Sequence, residues 1–372
     1  AKLRGDLSGR APDILFLFVS PHHREGYRGI SSFIGENLAS QHVLGCSAGG
    51  VIGDGREVEG RPALSLTAAV LPGVGVRPFR FVDQDLPDLD AAPDSWEDLI
   101  GTSPSQDPQL VLLADPFSIR AEDMLTGLDF AYPKASKVGG LASGARRPGE
   151  NALYLDGDVF QDGAVGLALT GALRLDTLVA QGCRPLGPVM TITACAGHVL
   201  HKLDDKPAMG VIEALYAGAG PKDRELMSLA LFLGIINDPV KQGPPKPGDF
   251  LVRNVMGVEQ ESKGLIVGAP LRTGQTVQFH VRDAATARQD LEAGLGRYAG
   301  QPGPRPLGAL LFSCLGRGEH LSGEPDHDSK AFLSKFQGVP MGGFFCNGEI
   351  GPVGGSTFIH GFTSCFGIFR PR

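Results

Sequence analysis

The chain has 372 residues, of which 42% are hydrophobic, 20% charged and 7% aromatic, and its formal net charge is −7. This composition is typical of a folded globular protein, and the length exceeds the usual size of one hydrophobic core, so two fused halves are expected. The acidic balance, without a dense lysine and arginine stripe, excludes binding dominated by nucleic-acid phosphates or by an anionic membrane surface.

Neither the apolar runs nor the cysteines indicate a membrane-bound or disulfide-bonded protein. No apolar run approaches the roughly 20 residues that span a bilayer, and residues 1–10 are charged. The 6 cysteines are sparse and contain no C-x-x-C pair, which favours a reducing compartment. We therefore expect a cytoplasmic protein, with the interior of an organelle such as the plastid stroma as the alternative if Ala1 marks a processed terminus.

Three stretches of the sequence repeat one pattern. Each has an apolar run that predicts a buried strand, a segment with apolar residues at helical spacing, and a second apolar strand. The predicted elements are 14–19, 27–38 and 63–71; 110–114, 121–130 and 164–170; and 309–314, 328–336 and 357–369. Before the second strand of each lies a glycine-rich segment, predicted to be a short turn: 45–50 (GCSAGG), 139–144 (GGLASG) and 342–349 (GGFFCNGE). A repeated β–α–turn–β unit is therefore expected.

Different material separates the second and third units. Strands are predicted at 189–195, 250–258, 264–267 and 276–281, helices at 208–217, 224–236 and 283–298 with Asp283 as N-cap, and a proline-rich loop at 241–248. Residues 183–188 (CRPLGP) are predicted to break both helix and sheet ladder. The sequence thus predicts two domains, 1–182 and 183–372, of mixed α/β (α+β) class, with repeated units forming helix-covered mixed sheets.

The segment 45–49 matches the G-x-S-x-G pattern of a hydrolase nucleophile elbow, with Ser47 as the nucleophile. Such an elbow leads into a helix, whereas residues 51–60 have no helical period, and the sister segments do not keep the register of the serine. Cys46 has no local residue that would supply a base. The sequence therefore favours a non-catalytic function over a hydrolase, and no catalytic residue is assigned.

Polar residues also gather in the third unit. Arg317 follows its first strand, at the strand end where α/β proteins build ligand crevices; there it would hold a carboxylate or phosphate with two hydrogen bonds, or form a surface salt bridge. Asn347 and Glu349 place an amide and a carboxylate in one glycine-rich segment. Residues 319–320 and 326–328 carry carboxylates and imidazoles, but in a loop of a composition common without metal, so no metal is assigned.

Together these segments resemble the FIST family. The resemblance rests on 45–49 (GCSAG), 250–257 (FLVRNVMG), 274–283 (GQTVQFHVRD), 311–317 (LFSCLGR), 342–352 (GGFFCNGEIGP) and 358–363 (FIHGFT). It covers nearly the whole chain and implies a FIST N-terminal region at 1–182 and a FIST C-terminal region at 183–372. It further implies a sensory or input module that binds small ligands and is found alone, fused to bacterial signalling outputs, or joined to an F-box in ubiquitin-ligase receptors.

With this resemblance, our hypothesis is that the glycine-rich turns gather around a small polar or amino-acid-like ligand. Arginines would hold an anionic group while turn amides and hydroxyls orient the rest. The expected ligand-binding residues are Cys46, Ser47, Ser143, Arg253, Arg317, Asn347 and Glu349. Because this sequence contains neither an output domain nor an F-box, the signalling or ubiquitin-ligase partner would be a separate protein.

Two alternatives stay open. In a protein-interaction scaffold, a sheet edge or face would bind a partner. Some FIST proteins are described as haem-binding gas sensors, for which His23 and His360 are the candidate axial ligands. No pattern selects either histidine, so no cofactor is assigned.

Overall fold

The apolar runs of the sequence form buried strands, and helices cover one face of each sheet. The computed structural model describes residues 2–236, 245 and 248–372. These residues form two compact units, the first running to Val179 and resuming over Leu291–Arg372, the second lying within Ala180–Asp290. The predicted mixed α/β class is confirmed. Within the described part of the chain, no helix is long and apolar enough to cross a membrane.

The first two copies of the repeat lie in the first unit. Copy 1 and the helix before it comprise α1 (Lys2–Asp6), β1 (Ile14–Val19), α2 (Tyr27–Leu38), β2 (His42–Ser47), β3 (Gly50–Gly53), β4 (Arg56–Glu59), β5 (Leu64–Ala69) and β6 (Val74–Phe81). Copy 2 and the helix before it comprise α3 (Pro93–Ile100), β7 (Gln109–Ala114), α4 (Ala121–Ala131), β8 (Lys137–Leu141), β9 (Leu153–Leu155), β10 (Asp158–Phe160), β11 (Ala164–Gly171) and β12 (Leu173–Gln181).

The intervening segment and the third copy follow. The intervening elements are β13 (Cys183–Ala196), β14 (Val199–Leu203), β15 (Lys206–Pro207), α5 (Ala208–Gly218), α6 (Pro221–Leu229), β16 (Leu231–Ile236), β17 (Phe250–Val258), β18 (Leu265–Val267), β19 (Thr276–Arg282) and α7 (Ala284–Ala299). Copy 3 comprises β20 (Gly308–Cys314), α8 (Gly318–Ser322), α9 (His327–Lys335), β21 (Met341–Cys346), β22 (Glu349–Val353), β23 (Ser356–His360) and β24 (Thr363–Pro371).

Every copy has the same connectivity, and the copies exchange strands. A strand and helix lead to a second, parallel strand (β1 with β2, β7 with β8, β20 with β21). A hairpin comes next, followed by a strand antiparallel to the first (β5, β11, β24). The hairpins join other copies: sheet 1 is β10-β9-β2-β1-β5, sheet 2 is β23-β22-β8-β7-β11-β6 and sheet 3 is β4-β3-β21-β20-β24-β12. Sequence analysis did not predict this exchange.

The inner faces of the three sheets share one hydrophobic core, which we call the central core. It includes Phe18, Phe312 and Phe344, which are at most 1% exposed, and the rings of Phe18 and Phe344 stack with centroids 4.8 Å apart. The outer faces are covered by helices, as predicted: on α2, for example, Ile34 packs in a cluster with Leu17. Burial of these apolar side chains is the main stabilising contribution in the first unit.

Each glycine-rich segment begins within a strand and runs on into a bend: β2 ends at Ser47 before the bend at Gly49, β8 at Leu141 before Gly144, and β21 at Cys346 before Asn347. The predicted short turns are therefore present, but the first glycine of each segment lies in the strand that precedes the turn.

One glycine in each copy lies on the parallel strand, opposite a leucine of the first strand. The distances from an added Cβ to the facing carbonyl oxygen are 1.8 Å (Gly45 to Leu17), 1.8 Å (Gly139 to Leu112) and 1.9 Å (Gly343 to Leu311). The glycine repeats because no side chain fits between these two backbones.

Three other expectations are corrected. Residues 224–236 are not one helix, because α6 ends at Leu229 and strand β16 follows. Residues 183–188 do not break the ladder but begin β13, which pairs with β19 and has a register shift after Leu186. Residues 357–369 form two strands in different sheets, β23 and β24. The predicted proline-rich loop at 241–248 lies largely outside the described residues.

The second unit has its own sheet and core. Sheet 4 has the order β13-β19-β16-β17-β18-β14-β15, and its core contains Ile192, Leu233 and Phe279, all 0% exposed. Asp283 caps α7 as predicted, since its Oδ1 accepts the N–H of Ala285 at 3.0 Å.

We expect Gly45→Ala to lower the free energy of unfolding by about 3 kcal/mol, because its Cβ must displace the Leu17 backbone. The matched control is Gly35→Ala on α2, where an added Cβ meets nothing within 4 Å and stability should rise by up to about 1 kcal/mol. Urea unfolding followed by circular dichroism measures both. Equal stability of the two variants would contradict the assignment of a backbone contact at Gly45.

Candidate functional site

The ends of the three parallel strands meet in the first unit. The Ser143 hydroxyl donates to the carbonyl oxygen of Phe345 and accepts the N–H of Gly49 at 2.9 Å. The Ser143 N–H in turn donates to the carbonyl oxygen of Ser47 at 3.2 Å. One serine therefore ties together the glycine-rich segments of all three copies.

Ser47 and Cys46 are buried at this junction. The Ser47 hydroxyl donates to Oδ1 of Asn151 at 3.0 Å, and Nδ2 of Asn151 donates to Oδ1 of Asp115 at 2.8 Å. This series of hydrogen bonds resembles a catalytic triad in outline only, because an amide stands where a proton-accepting imidazole is needed. Cys46 is 0% exposed, and burial raises the pKa of its thiol well above the usual value. Both side chains thus have the environment of structural residues.

A buried ion pair lies at the carboxyl end of β20. Arg317 follows this strand and is 2% exposed, and its Nε and Nη2 donate to Oδ2 and Oδ1 of Asp328, each at 3.0 Å. Asp328 lies in the first turn of α9, so the loop and helix between β20 and β21 bring the pair together. A two-point contact of this kind fixes the orientation of both groups.

Asp328 is ionised and fully bonded. The Ser313 hydroxyl donates to Oδ2 at 3.2 Å, the Ser364 hydroxyl also donates to Oδ2, and His327 Nδ1 lies 2.8 Å from Oδ1. Burial alone would raise the pKa of Asp328, but the Arg317 guanidinium and these hydrogen bonds outweigh it and hold the pKa well below its usual range. The carboxylate is therefore already used by the protein.

Glu349 lies beside this pair and is incompletely bonded. Its side chain is 0% exposed, Oε2 accepts the N–H of Thr363 at 3.2 Å, and Oε1 is buried without a hydrogen-bond partner. Burial raises the pKa of Glu349 well above its usual value, only partly offset by the Thr363 N–H and the Arg317 charge. Burial and the nearby Glu349 likewise raise the pKa of Cys314 to about 12. Burial therefore favours the neutral form of both the Glu349 carboxyl and the Cys314 thiol.

A second buried glutamate comes from the hairpin of copy 1. Glu57, on β4, is 6% exposed, and its Oε1 accepts the N–H of Ser329 in the first turn of α9 at 2.7 Å. Its Oε2 and the Ser329 hydroxyl are buried and make no hydrogen bond of good geometry, although the hydroxyl lies close enough to lower the pKa of Glu57. Burial, together with the charge of Asp328, raises the pKa of Glu57 to about 7. We call Arg317, Asp328, Glu349, Glu57 and Cys314 the Arg317 cluster.

The structure brings together some of the residues predicted to bind a ligand. Arg317 and Glu349 lie in the Arg317 cluster, whereas Cys46, Ser47 and Ser143 lie at the strand junction. Asn347 is exposed, and its N–H donates to the carbonyl oxygen of Leu141 at 3.0 Å. Arg253 lies on β17 in the second unit. Their roles in binding stay predictions.

Sequence reasoning missed three members of the cluster. Asp328 stood in the segment considered for a metal, and its spacing from Arg317 gave no sign of an ion pair. Glu57 lies in a charged hairpin, and Cys314 reads as an ordinary apolar strand residue.

Of the candidate haem ligands, His360 is 3% exposed with its Nε2 3.0 Å from the carbonyl oxygen of Gly351, and His23 is half-buried after β1. Haem binding stays untested.

Comparison with known proteins identifies the family. Residues 13–206 match the FIST N domain and residues 208–352 match the FIST C domain. The chain belongs to the FIST family. An uncharacterized protein of Mycobacterium tuberculosis is 33% identical over 99% of this chain and 94% of its own length. An uncharacterized Mycobacterium bovis protein is 32% identical over 98% of this chain and 92% of its own. An F-box/LRR-repeat protein of Arabidopsis thaliana is 34% identical over 29% of this FIST chain and 21% of its own length.

Ionisation of Glu57 should destabilise the FIST fold as the pH rises. Because the folded-state pKa is raised from 4.5 to about 7, the stabilising contribution of the protonated form is complete below pH 4.5 and is lost through pH 7. We therefore expect the free energy of unfolding of Glu57→Gln, measured with urea, to rise relative to that of wild type by about 3 kcal/mol between pH 4.5 and pH 8. Glu36→Gln, at an exposed position on α2, is the control. A constant difference between wild type and Glu57→Gln would show that Glu57 does not titrate in this range.

The cysteines should differ in reactivity. In native protein treated with iodoacetamide at pH 8, we expect half-buried Cys195 to be alkylated at least about tenfold faster than buried Cys46, because only an accessible thiolate reacts. Peptide mass spectrometry over time measures both rates in one sample. Preferential alkylation of Cys46 would restore it as a candidate nucleophile.

Proposed function

We propose that this FIST protein is a non-catalytic sensory module that binds a small polar ligand at the Arg317 cluster and signals through a separate partner. Its membership of the FIST family supports the sensory part of the proposal. The observation that carries the ligand site is the set of buried polar atoms without hydrogen bonds: Glu349 Oε1, Glu57 Oε2 and the Ser329 hydroxyl. Each such group costs about 1–3 kcal/mol when left unpaired, so a ligand that pairs them binds favourably.

The chemistry of the cluster favours a ligand with N–H donors. The guanidinium of Arg317 is already paired with Asp328, so its role is to hold that carboxylate in place rather than to bind an anion. Two of the three unpaired atoms are carboxyl oxygens, which accept hydrogen bonds from an amino group. An amine or the amino end of an amino-acid-like molecule therefore matches the site.

A second candidate function is a protein-interaction scaffold. The relative from Arabidopsis thaliana that matches part of this chain is an F-box/LRR-repeat protein, and the first unit has a sheet edge that no described strand covers. A stoichiometric protein partner that co-purifies with the chain without a small ligand would favour this function.

A thermal-shift screen of amino acids and small amines tests the ligand proposal. At a concentration a hundredfold above Kd, we expect a ligand to raise Tm by about 5 °C. Glu349→Gln replaces the carboxyl group by an uncharged amide of similar shape, so we expect it to fold and to bind that ligand about tenfold more weakly.

Glu36→Gln is the matched control, because it makes the same change at an exposed position on α2 and should leave Kd unaltered. If no amine or amino acid raises Tm, the proposed ligand class is wrong. If Glu349→Gln binds a confirmed ligand as tightly as wild type, the ligand lies elsewhere.

A further inference from the structure

The three copies of the repeat differ at one strand position, at the edge of sheet 1. In sheet 2 the strand β11 is followed at the edge by β6 from copy 1, and in sheet 3 the strand β24 is followed by β12 from copy 2. The equivalent strand of copy 1, β5, forms the edge of sheet 1, and no strand of the described chain lies beyond it. Sheets 2 and 3 therefore have six strands and sheet 1 has five.

Burial reflects the missing neighbour. In β5 only Ser65 is buried, whereas six of the eight residues of β11 and eight of the nine residues of β24 are buried. Beside β5 lies a groove of about 610 Å³. Its lining is mainly apolar and includes Phe16, Leu169 and Phe369 of the central core. Helix α1 also lines it, with Leu3, Asp6, Leu7 and Arg10. We call it the β5 groove. Its volume is within the range of binding sites for small ligands.

The free backbone groups of β5 point toward this groove. Ser20 donates its N–H to the carbonyl oxygen of Ala63. The backbone N–H and C=O groups of Ala63 and of every second residue after it therefore face β1. Backbone groups alternate sides along a strand, and those of Leu64, Leu66 and Ala68 therefore point away from β1. An edge of this kind accepts an added strand through main-chain hydrogen bonds.

The strands in the two equivalent positions define the occupant. β6 runs antiparallel to β11 and contributes Val74 and Val76 to the central core. β12 contributes Leu173 and Leu175, each 1% exposed. We propose that the β5 groove binds an extended peptide segment of a partner protein, antiparallel to β5, with aliphatic side chains at positions i and i+2 that enter the central core.

The strands of this chain supply the probes. We expect fluorescein-labelled peptides of residues 73–81 (GVGVRPFRF) and 172–179 (ALRLDTLV) to raise fluorescence anisotropy saturably when the full chain is added. Replacement of Val74 and Val76 by aspartate in the first peptide, or of Leu173 and Leu175 in the second, should abolish binding, because the charges would enter a mainly apolar groove. Absence of binding by both unmodified peptides would overturn the proposal.

Ala68→Pro removes one outward N–H without touching the pairing with β1, since proline is tolerated on an edge with its nitrogen toward solvent. We expect about tenfold weaker peptide binding and an unchanged circular dichroism spectrum. Hydrogen exchange of the wild-type chain gives a test that needs no variant: the peptide should slow exchange of the Leu66 and Ala68 amides, and unchanged exchange with bound peptide would refute the site. Sedimentation of the free chain as a dimer that Ala68→Pro dissociates would assign the edge to a second copy instead.

Discussion

The first unit depends on a backbone contact that occurs three times. In each copy a glycine on the parallel strand lies against a leucine carbonyl of the preceding strand, so close that a Cβ would overlap the oxygen. The contact sets how closely the two strands approach, and the strand ends just beyond it meet at Ser143. Side chains on the inner faces can then fill one central core from three sheets.

The exchange of hairpins makes the copies interdependent. Sheets 2 and 3 obtain the strands at both edges from other copies, and sheet 1 obtains the hairpin at one edge from copy 2, so an isolated copy would leave sheet edges and part of the central core open to water. The Arg317 cluster is a product of this exchange, because Glu57 arrives on the hairpin of copy 1 while Arg317 and Asp328 belong to copy 3. A change in the protonation of Glu57 therefore acts on a contact between two copies.

The local sequence pattern was sufficient for β1, a continuous apolar run that is buried throughout. It was also sufficient for α2 and α4, whose apolar residues recur at helical spacing, and for the N-cap Asp283. The local pattern was not sufficient where pairing with a distant segment of the chain decides the secondary structure. Residues 231–236 are apolar throughout and fit either a helix or a buried strand. The short charged strand β4 pairs with β3 of its own hairpin, and β3 in turn pairs with β21 of copy 3. At the site, the sequence suggested Arg317 and Glu349, but their proximity to Asp328 and Glu57 is tertiary information that no spacing along the chain contains.

The order of exchange has the connectivity of a closed ring. Hairpins pass from copy 1 to sheet 3, from copy 2 to sheet 1 and from copy 3 to sheet 2, which is the cyclic relation of three identical subunits about a threefold axis. In a ring of three separate subunits the three boundaries between neighbouring subunits are equivalent. In the described chain the boundary between copy 3 and copy 1 differs from the other two, because no described strand extends sheet 1 beyond β5. Broken symmetry thus gives an otherwise repetitive molecule one distinct surface.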